Sequence, residues 1–244
     1  QRAFFSYSPG IVRGFDGEVN LNEFLGHKMD SCKATFVLGG SFASKYQVDN
    51  SPTLILPQNV GAWGFRANMI TKRWNIFGEY AYKINDPSLA NNMIYKPGTA
   101  LFVSASYAQK GLGILVSMKQ IDNFSFRSDR GAVGVSSMIN YLPALTKQHT
   151  YQLAAFYPYA TQPTGETGFQ AELGYKFKKG TKLGGKYGTS VSLNYGSAYG
   201  LDTTTLPPDT LHMGYTVNYL ELGALYFQDI NIEIFKKFGP KFKG

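Results

Sequence analysis

The residues with the clearest capacity for chemistry are few, and most of them resolve into turns. Gly180 to Tyr187 reads G-x-x-x-x-G-K-Tyr, one hydroxyl short of a phosphate-cradling loop. Such a loop needs Ser or Thr after the Lys to ligate magnesium, with a buried strand before it and a helix after it. Tyr187 cannot take that role and both flanks alternate like strands, so a Gly-rich turn is expected. His27, His149 and His212 share no ligand spacing, and Cys32 is the only cysteine, so no metal centre is expected. A hydrolase would need Thr146 beside His149 or Asp30 beside His27, and nothing in the sequence brings either pair together. Asp49-Asn50-Ser51, Asn85-Asp86-Pro87-Ser88 and Asp122-Asn123 carry acceptor oxygens, which read as Asx turns rather than calcium loops. No catalytic residue, cofactor or metal ligand is assigned, and the chain is not read as an enzyme. What remains is a set of polar residues in the middle of alternating segments: Glu18, Arg66, Glu79, Lys119, Glu172, Asp229, Asn231 and Glu233.

Those residues must be positioned by strands. From Thr167 to Phe177, Phe169, Ala171, Leu173, Tyr175 and Phe177 alternate with Gly168, Gln170, Glu172, Gly174 and Lys176. Successive strand side chains point to opposite faces, so this segment has one apolar and one wet face. Ile230, Ile232 and Ile234 oppose Asp229, Asn231 and Glu233 in the same way, as Trp63, Phe65 and Ala67 oppose Arg66 and Asn68. The pattern predicts strands near 11–22, 34–46, 60–70, 74–84, 99–108, 112–121, 132–141, 149–158, 167–177, 188–197 and 224–235, with room for a helical turn in 22–33. Segment 132–141 is the least regular of these. The connections then sort by parity into short basic turns (71–73, 109–111, 142–148, 178–186, 236–240) and longer polar loops (47–59, 85–98, 122–131, 159–166, 198–223). This is an antiparallel up-and-down meander whose two ends face different surroundings. Residues 1–244 read as one domain, with no linker or composition break.

Composition bears on what the apolar face meets. Of 244 residues, 15% are aromatic and only 16% charged, well below the roughly 25% of an ordinary soluble domain. No apolar run is long enough for a transmembrane helix. Strands of about 9–11 residues do suit a tilted crossing of a bilayer. Trp63 and Trp74 flank the turn at 71–73, and Tyr175 lies near a strand end, as interfacial aromatic girdles require. A transmembrane β-barrel is therefore expected. In it Trp63, Trp74, Leu173, Tyr175, Ile230 and Ile232 face lipid, and the polar set above faces the interior. More than half of the 24 lysines and arginines, Lys147 among them, fall at the short-turn end. They keep turns solvated, and no module signature accompanies them, so nucleic acid is not an expected partner.

Three further stretches are informative. Gly10 to Glu23 (GIVRGFDGEVNLNE), Leu142 to Tyr151 (LPALTKQHTY) with Tyr157 to Pro163 (YPYATQP), and Thr181 to Thr189 (TKLGGKYGT) resemble an uncharacterised family of outer-membrane β-barrel proteins of the Bacteroidota. The resemblance implies a bacterial outer-membrane location and a barrel fold, with no catalytic residues to carry over. It also implies that the chain is similar to an interior piece of a longer member.

Two functions follow. The first is a channel or solute-passage barrel, in contact with outer-membrane lipids. The alternative is a non-conducting barrel that scaffolds other envelope proteins in a secretion or outer-membrane biogenesis machine. A soluble β-barrel binding an apolar ligand is the third reading, and it requires the apolar parity to face inward. Eleven full strands would be an odd number, whereas single-chain bacterial barrels use even ones. The barrel is thus expected to be incomplete at both ends, with unpaired terminal strands.

Overall fold

A computed structural model describes residues 10–26, 33–132, 134, 136–147, 159–207 and 212–238. Nine strands form one antiparallel sheet in strict chain order: β1 (Ile11–Asn20), β2 (Thr35–Tyr46), β3 (Asn59–Ile70), β4 (Trp74–Lys83), β5 (Gly98–Gln109), β6 (Leu112–Asp122), β7 (Gly165–Phe177), β8 (Thr189–Thr205) and β9 (Tyr215–Lys236). Among the described residues the named helical elements are α1 (Leu21–Leu25) and a 3-10 turn at Leu89–Asn91. The sheet is not closed: β1 pairs with β2 and β9 with β8, and β1 and β9 do not pair with each other.

Local chemistry explains the turns. Asn20 caps α1 by accepting from the Asn22 N–H at 3.1 Å. The Asn22 side chain then donates to Ala34 O at 2.9 Å and accepts from Phe36 N at 2.8 Å, which leads the chain into β2. Thr71 Oγ1 accepts from the Trp74 N–H at 2.9 Å and closes the β3–β4 turn. Between β5 and β6, Gln109 faces Leu112 across Lys110-Gly111, and Gly111 takes a φ of +83°, the left-handed value that the second central residue of a tight turn adopts most readily as glycine.

Of three expectations for the strand set, two are corrected and one falls outside the described residues. The described residues of 132–141 do not form a strand. Their neighbourhood forms turns, with one isolated bridge from Arg127 to Met138. The partner it would have needed is already taken, because β6 pairs directly with β7 along its whole length, from Leu112 opposite Tyr175 to Asp122 opposite Gly165. The second expected strand, 149–158, lies outside the described residues, as do Val133 and Val135, which carried much of the case for the first. The sheet therefore has nine strands rather than eleven among the described residues. β6 and β7 are antiparallel neighbours, so the other turns keep their ends. Third, 198–223 is largely strand. β8 runs on through the β-branched stretch Thr203-Thr204-Thr205 until just before Pro207, and β9 starts at Tyr215. Register shifts at Ala198, Tyr199 and Leu201 bend this long hairpin.

The connection from β6 to β7 packs against one face of the sheet. Phe126 is 2% exposed and clusters with Val60 and Ala62 of β3, flanked by Ala43, Ile84 and Ile139. Burying one such phenylalanine contributes about 1.5–3 kcal/mol. The connection folds on itself through Ile139 N to Phe126 O (2.9 Å) and Ser128 N to Ser137 O (2.9 Å). Asn140 accepts from the Phe126 N–H at 3.0 Å and donates to Phe124 O at 2.9 Å.

Candidate functional site

Cross-strand register decides which residues share a face. Glu18, Gly39, Arg66, Glu79, Phe102, Lys119 and Gly168 form one continuous row from β1 to β7. Glu172, Asn194 and Asn231 form another on the same face, with Asp229 opposite Gly196 and Glu233 opposite Ser192. All eight expected polar residues thus lie on the face that 123–147 covers. The opposite, open face carries the row Trp74–Tyr107–Ile114–Leu173–Leu193–Ile232 and the row Phe15–Phe42–Trp63–Tyr82, while Tyr175 pairs with Val191 and Ile230 with Tyr195. Leu173 is 42% and Ile232 63% exposed, so neither is packed in a core. Aromatics meet near both ends of this face: Phe42 and Trp63 at 5.4 Å between centroids, and Trp74 and Tyr107 at 4.7 Å.

The covered face holds its charges in several groups. The first is fully buried. Asp86 Oδ2 lies 2.7 Å from Lys45 Nζ and 3.8 Å from Lys83 Nζ, and Asp86 Oδ1 lies 3.9 Å from Arg130 Nε. Lys83 also donates to Ser125 O at 3.2 Å, Arg130 donates to Pro57 O, and the Arg130 N–H donates to Gln47 Oε1 at 3.0 Å. Three cations surround one carboxylate, an arrangement that low-dielectric surroundings tolerate only when every partner is held in place. Its effect is to fasten the connection to β2 and β4.

The second group pairs Lys119 with Glu166 at 2.7 Å, with both side chains almost wholly buried. Lys119 donates to Pro143 O at 2.7 Å and to Thr161 Oγ1, so one ammonium joins β6 to both ends of the connection. Glu166 accepts from Tyr159 OH and from the Gln162 N–H at 2.8 Å. Burial first, and then the bond to Glu166, pushes the Tyr159 phenol above the ordinary tyrosine range.

In the third group, Glu172 Oε1 accepts from Gln170 Nε2 at 2.8 Å and from Asn194 Nδ2 at 2.9 Å. Lys147 Nζ donates to Asn231 Oδ1 at 3.0 Å and pairs with Glu233 at 2.8 Å. The short-turn position expected for 142–148 is therefore corrected: Pro143 and Lys147 reach strand residues on the covered face. The reason is the direct β6–β7 pairing, which makes the chain between Asp122 and Gly165 a single connection. Arg66, nearer the β1 edge, binds Asp16 at 2.6 Å and Glu18 at 2.7 Å, with the guanidinium lying over Gly39, where a Cβ would meet Nε at 2.5 Å.

Several of these residues escaped the sequence reading. Lys45, Lys83, Asp86, Arg130, Tyr159 and Glu166 form the tightest contacts. The only available signal was the polar parity of Lys45 and Lys83 at strand ends. Their burial arises from a connection expected to be strand elsewhere.

The remaining motifs resolve as turns. Gly180 to Gly185 closes through Gly180 N to Gly185 O at 2.7 Å and Gly185 N to Thr181 O at 2.8 Å, with positive φ at both glycines. Asp49 accepts from the Ser51 N–H at 2.9 Å and the Leu56 N–H at 3.0 Å, and these two amides hold its carboxyl below the usual range. No group of metal-ligating side chains occurs among the described residues. His27 and His149 lie outside the described residues, and His212 packs its ring against Tyr95 at 6.0 Å.

Curated proteins and solved structures yield no match to this chain. A family model matches residues 1–244: the chain belongs to DUF6029, a family of unknown function.

Proposed function

We propose that this chain is a bacterial outer-membrane β-barrel protein whose covered face lines an interior for restricted solute passage. One observation carries the reading. On the open face of β1–β8 and of residues 228–236 in β9, the only Lys, Arg, Asp or Glu are Arg13, Asp122 and Lys236, each within three residues of a strand end. A water-facing sheet surface has no reason to exclude charge from its middle and keep it at the rims; a lipid-facing one does. Tyrosine and tryptophan near both ends of that face support the same reading. So does the resemblance to a Bacteroidota outer-membrane family. In a bilayer the free edges of β1 and β9 must be paired, since unsatisfied backbone groups there cost several kcal/mol each.

The test is depth-dependent quenching in lipid nanodiscs. A fluorophore attached at Leu173 or Ile232 should be quenched by nitroxide on acyl chains, while one at Glu172 or Asn231 should not. Equal quenching by a water-soluble agent at all four positions would sink the proposal.

A second reading, a non-conducting scaffold barrel, is favoured by the anchors at Arg130, Pro143 and Lys147, which hold 123–147 across the covered face. Planar-bilayer conductance separates the two. Stable single-channel steps support passage, and silence at high protein load supports the scaffold.

A further inference from the structure

One cavity on the covered face has a composition of its own. It measures about 480 Å³ and lies between β4–β6 and the connection, lined among others by Phe77, Glu79, Phe102, Lys119, Phe124 and Tyr141. That volume lies within the range of about 300–1,000 Å³ typical of small-molecule sites. Phe77 and Phe102 form a tilted pair at 6.0 Å between centroids and supply two aromatic rings to the wall. Phe124 is buried, and Asn140, also at the cavity, has its side chain occupied by the backbone of Phe124 and Phe126.

Glu79 sets the charge. Apart from Asp202 near the end of β8, the other strand carboxylates of this face have partners: Asp16 and Glu18 on Arg66, Glu166 on Lys119, Glu172 on Gln170 and Asn194, Glu233 on Lys147, and Asp229 in contact as well. Among the described residues Glu79 has neither an ion pair nor a hydrogen bond. It stands next to Arg66 in the ladder, but that guanidinium is committed to Asp16 and Glu18. The one cation at the cavity, Lys119, is neutralised by Glu166 at 2.7 Å and does not offset Glu79. A free carboxylate beside aromatic faces favours an ammonium group joined to an apolar body, through charge pairing and cation–π attraction.

We infer that the cavity between β4–β6 and residues 124–143 is a binding site for a small organic cation, with Glu79 receiving the ammonium and Phe77 and Phe102 the apolar body. The inference goes beyond the barrel reading, because the cavity is built from this chain alone and its occupancy requires no conduction.

Calorimetric titration of the detergent-solubilised full chain tests it, with phenethylammonium as the probe and 3-phenylpropionate as the anion of similar body. Saturable binding of the cation, at least ten-fold tighter than that of the anion, is expected. Glu79→Gln should weaken the cation ten-fold or more and remove the discrimination. Phe102→Leu should weaken the cation several-fold and leave the preference for it intact. Glu79 is exposed and unpaired, so Glu79→Gln should unfold at the wild-type temperature, and that measurement keeps a folding defect from imitating the result. Equal affinity for the two probes, an unchanged Glu79→Gln, or no saturable binding of the cation would each overturn the inference. The titration needs no bilayer, so its failure is distinguishable from failure of the quenching experiment.

Discussion

Replacing Asp86 with Asn would leave three buried cations without the carboxylate that holds them. Lys45, Lys83 and Arg130 approach it at 2.7, 3.8 and 3.9 Å, and none of the four side chains is more than 6% exposed. At an effective dielectric constant of about 20, those separations correspond to attractions of roughly 6, 4 and 4 kcal/mol. Most of that gross sum is offset in the native protein by repulsion among the cations and by their desolvation. Removing one partner from a buried ionic group costs about 3–5 kcal/mol. Asparagine keeps an acceptor oxygen of similar size, so the lower end, about 3 kcal/mol, is expected. Urea unfolding in detergent, followed by the fluorescence of Trp63 and Trp74, reads the loss. Limited proteolysis should show faster cutting within 123–147, because Arg130 is one of the anchors of that connection. Lys45→Met in the Asp86→Asn background removes a cation left without a counter-charge and should recover 1 kcal/mol or more of the loss. An Asp86→Asn protein within about 0.5 kcal/mol of wild type, or a double variant no better than the single one, would refute the reasoning.

Further outcomes follow from the same structure. Leu173→Arg, on the open face, should destabilise the protein in a bilayer by about 2–4 kcal/mol if Leu173 lies near the midplane, whereas Gln170→Arg, which keeps a donor for Glu172, should change little; urea titration of both variants in vesicles checks this, and equal effects would contradict the face assignment. Tyr159 has its folded-state value raised, so its contribution is complete below the unfolded tyrosine value of about 10 and declines as pH rises past it. The stability difference between wild type and Tyr159→Phe should therefore shrink from about pH 9 to pH 11, and a constant difference would remove Tyr159 from the account. Lys147→Met should cost no more than about 1 kcal/mol, because Glu233 is half-exposed and the pair is screened. Thermal unfolding at low and high salt should show the Lys147→Met difference narrowing as salt rises.

Alternation of side chains made the faces of this protein readable without coordinates. Glu172 opposes Leu173, and Asn231 opposes Ile232, because strand geometry turns neighbours apart whatever the rest of the chain does. The same rule placed a segment within each of the nine strands, though it read the far halves of β8 and β9 as loop, and Thr71 and Gly111 fell in turns that local hydrogen bonding and backbone freedom require. Two things lay beyond that rule. Alternation in 132–141 could indicate a strand, but a strand exists only when a neighbour offers a free edge, and β7 occupies the edge of β6. That single pairing, a contact between residues more than 40 positions apart, left the described residues of 123–147 as cover over the sheet rather than part of it. The cover, in turn, made Lys45, Lys83 and Lys119 buried partners of Asp86, Glu166 and Pro143 rather than solvated lysines, and enclosed the cavity at Glu79. Which face is polar is a local property of the strand, set by residue order. Which polar groups are buried, paired or left free depends on segments arriving from elsewhere in the chain, and only the tertiary structure decides that.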